Sequence, residues 1–98
     1  MARFSVHELR GGVVVVNLQS DFLDWLDTRL VAPLVALDRS PPPAKHLNPV
    51  FVLDGGQFVL ITQSMAAVPV ASLGAVVGDL SEHHDTITRA LDLVFQGF

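Results

Sequence analysis

The sequence predicts an α+β fold, mostly β, in which an antiparallel, barrel-like sheet carries one C-terminal helix. Short runs of β-branched and aromatic residues, separated by glycine pairs, fill the first two thirds of the 98-residue chain and favour strands. From Leu80 onward the apolar residues recur every three or four positions, which is typical of a helix with one buried face. Strands followed by a single terminal helix indicate a sheet packed against that helix.

The strands are expected to form antiparallel hairpins. Gly11-Gly12 and Asp54-Gly55 are the two strongest turn signals, because glycine accepts the positive φ angles of tight turns without a steric penalty. The segments predicted as strands are residues 4–8, 13–18, 29–37, 48–53, 57–62 and 67–73.

Proline and glycine mark the irregular segments. Pro33 is expected at an edge or a bulge, because it lacks the N–H that a sheet ladder needs. Residues 39–43 contain three consecutive prolines and are predicted as an extended loop. Residues 74–78 are bounded by two glycines and are expected to be flexible.

The predicted helix begins near Ser81, a favourable N-cap, and ends at Gly97, which tolerates the left-handed conformation found at helix ends. Its apolar stripe comprises Ile87, Ala90, Leu91, Val94, Phe95 and Phe98. The first part of the stripe is expected to pack on the chain's own sheet. The last part continues to the final residue, where chain ends are usually polar, and therefore suggests contact with another molecule.

The composition favours one domain over residues 1–98 with a protein partner. Hydrophobic residues make up 50% of the chain, which is too apolar for disorder. The net charge of −4 and six scattered basic residues disfavour direct nucleic-acid binding. Neither a secretory signal nor a membrane-spanning segment is recognised, so a cytoplasmic protein that does not bind membranes is expected.

Residues with possible chemistry give weak signals. His83-His84-Asp85 resembles a metal-ligand group, but adjacent helical side chains point about 100° apart, so we interpret it as a solvated first turn. The chain has no cysteine, and no serine lies in a hydrolase signature. The sequence therefore predicts no metal, no cofactor and no catalytic residues.

The segment 22–28 is predicted as a loop with exposed aromatic residues. Asp24 and Asp27 flank Trp25, and the simplest interpretation is ordinary solvated charge in a loop. The alternative is a partner-contacting loop in which Phe22, Leu23 and Trp25 present apolar area, since tryptophan is prominent among interface hot spots.

Several segments, in order along nearly the whole chain, resemble the CcdB family of plasmid toxins. The segment Val-Asn-Leu-Gln-Ser-Asp of this chain is similar to the family's Val-Asp-Val-Gln-Ser-Asp. Its segment Arg-Leu-Val-Ala-Pro-Leu is similar to the family's Arg-Met-Val-Ile-Pro-Leu. Its segment Met-Ala-Ala-Val-Pro-Val is similar to the family's Met-Ala-Ser-Val-Pro-Val. An Asp-Leu-Ser opens the final helix, and Leu-Val-Phe-Gln-Gly-Phe is similar to the closing Leu-Met-Phe-Trp-Gly-Ile. These segments are residues 16–21, 29–34, 65–70, 79–81 and 93–98.

The resemblance implies an SH3-like barrel, a homodimer, and a plasmid-maintenance toxin that poisons DNA gyrase through its A subunit. Such a toxin is a protein inhibitor of a topoisomerase, not an enzyme, and a disordered CcdA-like antitoxin neutralises it. The resemblance assigns the dimer interface to Val94 and Phe95. It assigns gyrase binding to Phe22, Leu23, Asp92, Phe95, Gln96, Gly97 and Phe98.

The tail departs from the family at Gln96, where the family has tryptophan. An amide cannot replace the stacking area of an indole. A non-toxic homologue that binds only the antitoxin is therefore one alternative. An endoribonuclease is the other, because a related toxin family uses a similar barrel, although the acidic balance argues against RNA binding.

Overall fold

The computed structural model describes residues 2–98. The strands are β1 (Ser5–Leu9), β2 (Val14–Asn17), β3 (Thr28–Ala36), β4 (Val50–Leu53), β5 (Gly56–Leu60), β6 (Ala66–Pro69) and β7 (Leu73–Asp79), and the helix is α1 (His84–Gln96). Turns of 3-10 helix lie at Asp21–Leu23, Leu37–Arg39, Thr62–Ser64, Val70–Ser72 and Ser81–His83. The predicted mostly β, α+β class is confirmed.

The strands form one antiparallel sheet in the order β4-β5-β3-β2-β1-β7. β6 pairs with the first half of β3, on the side opposite β2. The sheet curls into a half-barrel, so its two edges approach each other: a Cβ at Gly78 of β7 would lie 3.5 Å from Cδ2 of Leu53 in β4. α1 packs against the core of this curled sheet through Ile87 and Leu91.

Both predicted hairpins are confirmed. β1 and β2 pair antiparallel, with positive φ at Gly11 and Gly12 in the connection. Leu53 pairs with Gly56, which leaves a two-residue turn with φ of 50° at Asp54 and 79° at Gly55. Positive φ at both central residues is the type I′ geometry, whose twist matches that of the flanking strands.

Pro33 does not lie at an edge or a bulge. It occupies the middle of β3, opposite Val15 of β2, and its carbonyl accepts the N–H of Ile61 at 2.9 Å on the other side. The nitrogen of an extended residue faces the same side as its carbonyl. On that side the partner of β3 changes from β6, at residues 28–31, to β5, at residues 34–36. The N–H that Pro33 lacks would therefore lie between the β3–β6 ladder and the β3–β5 ladder.

The expectations for residues 67–78 were partly wrong. The strand predicted at 67–73 ends at Pro69, and a 3-10 turn follows at Val70–Ser72. Residues 74–78 are not a flexible stretch but belong to β7, which pairs with β1 through two register shifts. The glycines that suggested flexibility in the sequence are therefore part of an irregularly paired strand, a position where glycine is common.

The helix begins later than predicted. Ser81 lies inside the 3-10 turn and does not cap α1; its N–H and hydroxyl donate to the carboxylate of Asp79 at 2.8 and 3.1 Å. The predicted end is confirmed, because Gly97 adopts the left-handed conformation with φ of 81° and donates its N–H to the carbonyl of Leu93.

The core lies between the concave face of the sheet and the first half of α1. Ile87 and Ala90 are completely buried there, and Leu91 packs against the same cluster. The buried core side chains are Phe4, Val6, Val16, Leu18, Ala32, Leu34, Phe51, Leu60, Leu80 and Ile87. In the second half of the helix Leu91 still packs against this core, whereas Phe95 is exposed and is left for other contacts.

Candidate functional site

The end of α1 exposes two aromatic side chains. Phe95 is 68% exposed and Phe98 is 82% exposed, whereas Ile87 on the same stripe is fully buried. Gly97 lies between the two phenylalanines in its left-handed conformation, so the chain turns sharply away from the helix axis at this point. The stripe predicted from the sequence thus divides into an inner half within the core and an outer half on the surface.

The other predicted tail residues lie beside these aromatics. Asp92 and Val94 are half-buried on the last turns of α1, and Gln96 is exposed. The carboxylate of Asp92 makes neither a hydrogen bond nor an ion pair with any of residues 2–98. This end of the molecule therefore combines apolar area with the unpaired carboxylate of Asp92.

A second exposed apolar group lies in residues 20–27, which we call the 20–27 loop. Phe22 is 92% exposed and Trp25 is 73% exposed, while Leu23 is 41% exposed. Asp24 and Asp27 are exposed as well. The structure thus places the predicted site residues in two groups, with Phe22 and Leu23 in this loop and the remaining ones at the helix end.

Sequence reasoning missed the residue that organises this loop, Arg29. Its guanidinium is buried, with the whole residue 5% exposed. Nη1 donates to the carbonyls of Leu26 and Thr28 at 2.7 and 2.9 Å, and Nη2 donates to the carbonyl of Asp24 at 2.7 Å. Nothing in the sequence distinguishes Arg29 from a surface arginine, because all three acceptors are main-chain atoms.

The adjacent histidines His83 and His84 pack against aromatic residues of the core. Among residues 2–98 there is no group of three or more His, Cys, Asp or Glu side chains that could hold a metal ion. The ring of His83 packs against Phe51 with centroids 4.8 Å apart, and that of His84 packs edge-on against Phe4 at 5.5 Å. The two adjacent histidines therefore cover the core and do not converge on a ligand.

His7, the buried histidine, has a structural position in the sheet. Its Nδ1 lies 2.9 Å from the carbonyl oxygen of Gly74, and its Nε2 lies 2.8 Å from the hydroxyl of Ser5. A carbonyl can only accept, so Nδ1 donates to Gly74, and the partner of Nε2 is the Ser5 hydroxyl, which also donates to the carbonyl of Ala2 at 2.7 Å. His7 thus bridges β1 and β7 within the fold.

Two of the six basic side chains make hydrogen bonds to main-chain carbonyls within the fold. Arg29 is buried as described, and Arg3 donates to the carbonyl of Leu18 at 3.0 Å while stacking over Phe4. The remaining four are exposed on separate segments, namely Arg10, Arg39, Lys45 and Arg89. No helix in residues 2–98 is long and apolar enough to cross a lipid bilayer.

Solved structures of bacterial toxins share this fold. A mycobacterial endoribonuclease in complex with its cognate antitoxin matches with a TM-score of 0.79 and 11% identity, covering 97% of this chain and 94% of that one. A toxin from Mycobacterium tuberculosis matches with a TM-score of 0.74 and 18% identity over 92% and 99% of the two chains. The M. tuberculosis toxin MazF-mt6 matches with a TM-score of 0.65 and 20% identity over 93% of each.

At these identities the structural likeness establishes a shared fold and leaves the activity open. The sequence itself gives the more specific match, because the CcdB protein family covers residues 3–97, nearly the entire chain. That match includes the strands, the 20–27 loop and α1 as far as Gly97. The chain therefore belongs to the CcdB family of toxins.

Proposed function

We propose that this toxin poisons DNA gyrase by binding the gyrase A subunit through the end of α1 and the tail. The observation that carries the proposal is the exposure of Phe95 and Phe98 on either side of the left-handed Gly97. Two large aromatic side chains left in water at a helix end favour a protein interface, since aromatics dominate interface energetics. Asp92 and Gln96 provide polar groups beside them.

The proposed active species is a homodimer that a CcdA-like antitoxin neutralises. Val94 is half-buried and Phe95 exposed, so pairing of two helix ends would cover Val94 and one side of Phe95 and leave Phe98 for the target. Such pairing would also place two copies of the tail side by side, one for each subunit of a twofold-symmetric target.

Gln96 lowers the expected strength of this interaction. Removing an aromatic hot spot typically costs at least about 2 kcal/mol, or roughly thirtyfold in affinity. Phe98, at 82% exposure, offers an alternative aromatic surface two residues further along. We therefore propose a gyrase poison whose aromatic contact comes from the final residue.

An endoribonuclease is the second candidate, because mycobacterial endoribonucleases share the fold. A pocket with a volume of about 620 Å³ at the start of α1 is lined by His46, Pro49, Asp85, Thr86 and Arg89. RNA cleavage needs cationic groups to bind phosphates and stabilise the developing charge. This pocket offers one arginine, one histidine and one carboxylate, and the other exposed basic residues lie on separate segments, so gyrase binding is the better-supported function.

The deciding experiment measures cleavage complexes of the host's gyrase on supercoiled DNA with purified toxin. Full-length protein is expected to accumulate linear DNA, and a variant lacking Gly97 and Phe98 is expected to lose this activity with an unchanged circular dichroism spectrum. Absence of cleavage complexes at micromolar toxin would refute the proposal.

The same preparations separate the alternatives. Incubation with long RNA should leave the RNA intact, and dose-dependent fragmentation would favour the endoribonuclease. Wild-type protein that causes no growth arrest, combined with a toxic Gln96→Trp variant, would favour the non-toxic homologue.

A further inference from the structure

The pocket at the start of α1 has the size of a small-molecule site. His46 and Pro49 line it from the turn that precedes β4, and Asp85, Thr86 and Arg89 line it from the helix. Its volume of about 620 Å³ is within the range of ligand pockets and is far larger than a single ion needs. The pocket therefore has room for a small organic molecule.

Buried side chains hold the turn before β4 in one conformation. Asn48 is 7% exposed, its Oδ1 accepts the N–H of Ala44 at 3.1 Å, and its Nδ2 donates to Oε1 of Gln63 at 2.8 Å. Thr62 is completely buried and donates its hydroxyl to the carbonyl of Leu47 at 2.6 Å. A wall that is fixed before binding loses little conformational freedom when a ligand enters.

His46 has an unusual backbone conformation within this turn. Its φ is 66°, in the left-handed region that residues other than glycine seldom adopt. Such a conformation persists where the surrounding structure determines it, and residues of this kind cluster at ligand sites. The bonds of Asn48 and Thr62 supply that constraint, and the exposed side chain of His46 lines the pocket.

The hydrogen-bond donors of the pocket are unpaired. The side chains of His46, Thr86 and Arg89 make no hydrogen bond or ion pair with any of residues 2–98. Arg89 lies four residues after Asp85, a spacing that favours an ion pair on a helix, yet the two do not pair. Oδ1 of Asp85 instead lies 3.3 Å from Nδ1 of His84. The guanidinium is therefore available to a ligand.

The unpaired donors match a phosphate monoester. A guanidinium donates a planar fork of N–H groups to phosphate oxygens, and an imidazole N–H and a hydroxyl add further donors. Thr86 lies in the first turn of α1, where the helix dipole also favours an anion. One guanidinium serves one phosphate group, whereas a polynucleotide needs many cationic contacts.

The other lining residues indicate the rest of the ligand. A carboxylate only accepts, so Asp85 requires a ligand that also carries N–H or O–H groups. Pro49 contributes an apolar surface. A nucleotide combines these parts, because its base has an apolar face and N–H donors at its edge, and its phosphate is attached to a ribose with hydroxyl groups.

We propose that this pocket binds a mononucleotide. The phosphate lies on Arg89 and His46, and the carboxylate of Asp85 accepts an N–H or O–H group of the nucleoside. Binding here is independent of gyrase, because the proposed gyrase contacts on α1 begin at Asp92, beyond the residues that line the pocket.

The first test is isothermal titration calorimetry with GMP in low-salt buffer, since guanine carries an amino group at its edge. We expect one saturable site per chain. Guanosine, which lacks the phosphate, and inorganic phosphate, which lacks the nucleoside, are each expected to bind about tenfold more weakly. No saturable signal at millimolar GMP, or GMP that binds no more tightly than either of these ligands, would overturn the proposal.

The phosphate contact is tested with Arg89→Gln, which is expected to weaken GMP binding by about tenfold. Arg39→Gln is the matched control, because it removes an exposed arginine that does not line the pocket, and it should leave the affinity unchanged. Equal losses in the two variants would indicate nonspecific charge attraction, and wild-type affinity in Arg89→Gln would exclude the site.

Asp85→Ala separates the two parts of the ligand. Inorganic phosphate should bind more tightly to this variant, because a negative charge leaves the pocket, while GMP loses an acceptor. The ratio of GMP affinity to phosphate affinity is therefore expected to fall by about tenfold. Glu82→Ala removes an exposed carboxylate just before α1 and should leave the ratio unchanged. An unchanged ratio in Asp85→Ala would refute a nucleotide as the ligand.

His46→Gly removes the imidazole at a position where glycine is favoured by the positive φ. The variant is expected to weaken GMP binding by about tenfold without lowering the unfolding midpoint. Asp54→Gly is the matched control, since Asp54 also has positive φ but lies outside this pocket, and it should bind GMP like wild type. Wild-type affinity in His46→Gly would refute the contact between His46 and the phosphate.

Discussion

Gly74 of β7 lies so close to Glu8 of β1 that a Cβ at Gly74 would be 2.6 Å from the carbonyl oxygen of Glu8. This is a clash with main chain, which cannot move aside as a side chain can. The contact lies in the part of the β1–β7 ladder where the register shifts, between His7 and Leu9. The glycine is therefore needed for close approach of two strands.

Gly74→Ala is accordingly expected to lower the free energy of unfolding by about 1–3 kcal/mol, because the strands must separate locally. Gly78→Ala is the matched control within the same strand, since its Cβ would make ordinary contacts at 3.5 Å with Leu53 and Val6. Urea denaturation followed by circular dichroism measures both. Equal destabilisation by the two variants would contradict this account of Gly74.

The division of the helix stripe predicts a large loss of stability from truncation at its inner end and almost none at its outer end. Ile87→Ala removes a fully buried side chain and is expected to cost about 2–5 kcal/mol, with Ile87→Val costing about 0.5–1.5 kcal/mol if the alanine variant does not fold. Phe98→Ala is expected to change the free energy of unfolding by less than about 0.5 kcal/mol, because the ring is in water. Comparable losses at both positions would show that Phe98 packs within the fold.

Oligomeric state tests the assignment of Val94 and Phe95 to the dimer interface. Phe95→Asp is expected to shift the mass measured by light scattering from dimer to monomer, because pairing would bury two carboxylates without partners. Phe22→Asp places the same charge on the 20–27 loop, at a residue that is 92% exposed, and should remain dimeric. A dimer that persists in Phe95→Asp would exclude this interface.

Restoring the family tryptophan should strengthen the interaction with gyrase. Gln96→Trp is expected to lower the Kd for the gyrase A subunit by about thirtyfold, which corresponds to about 2 kcal/mol. Gln57→Trp places an indole on an exposed position of β5 and should leave the Kd unchanged. Equal gains from both variants would indicate nonspecific apolar binding.

Local signals in the sequence were sufficient to predict the two hairpins and the residue at which the helix ends. Gly11-Gly12, Asp54-Gly55 and Gly97 each adopt positive φ, a requirement that depends on a few neighbouring residues. The helical period likewise predicted the stripe, and the segments shared with the CcdB family predicted the family. The exposed aromatics of the 20–27 loop were also identified from the sequence alone.

Strand pairing and the start of the helix depend on residues far apart in the sequence and became clear only from the tertiary structure. Pro33 lies in a central strand because the partner of β3 changes at that point, and residues 74–78 form a strand because β1 is available to pair with them. Ser81 does not cap α1, because it lies in the preceding 3-10 turn and donates its N–H to the carboxylate of Asp79.

Only the fold revealed that Arg29 is buried beneath the 20–27 loop and that the helix stripe divides between core and surface. The physical reason is the range of the interactions. Turn geometry and helical periodicity are determined within a few residues of the chain. Strand pairing, burial and main-chain hydrogen bonds to side chains depend on which segments meet in space, and the order of residues alone does not specify this.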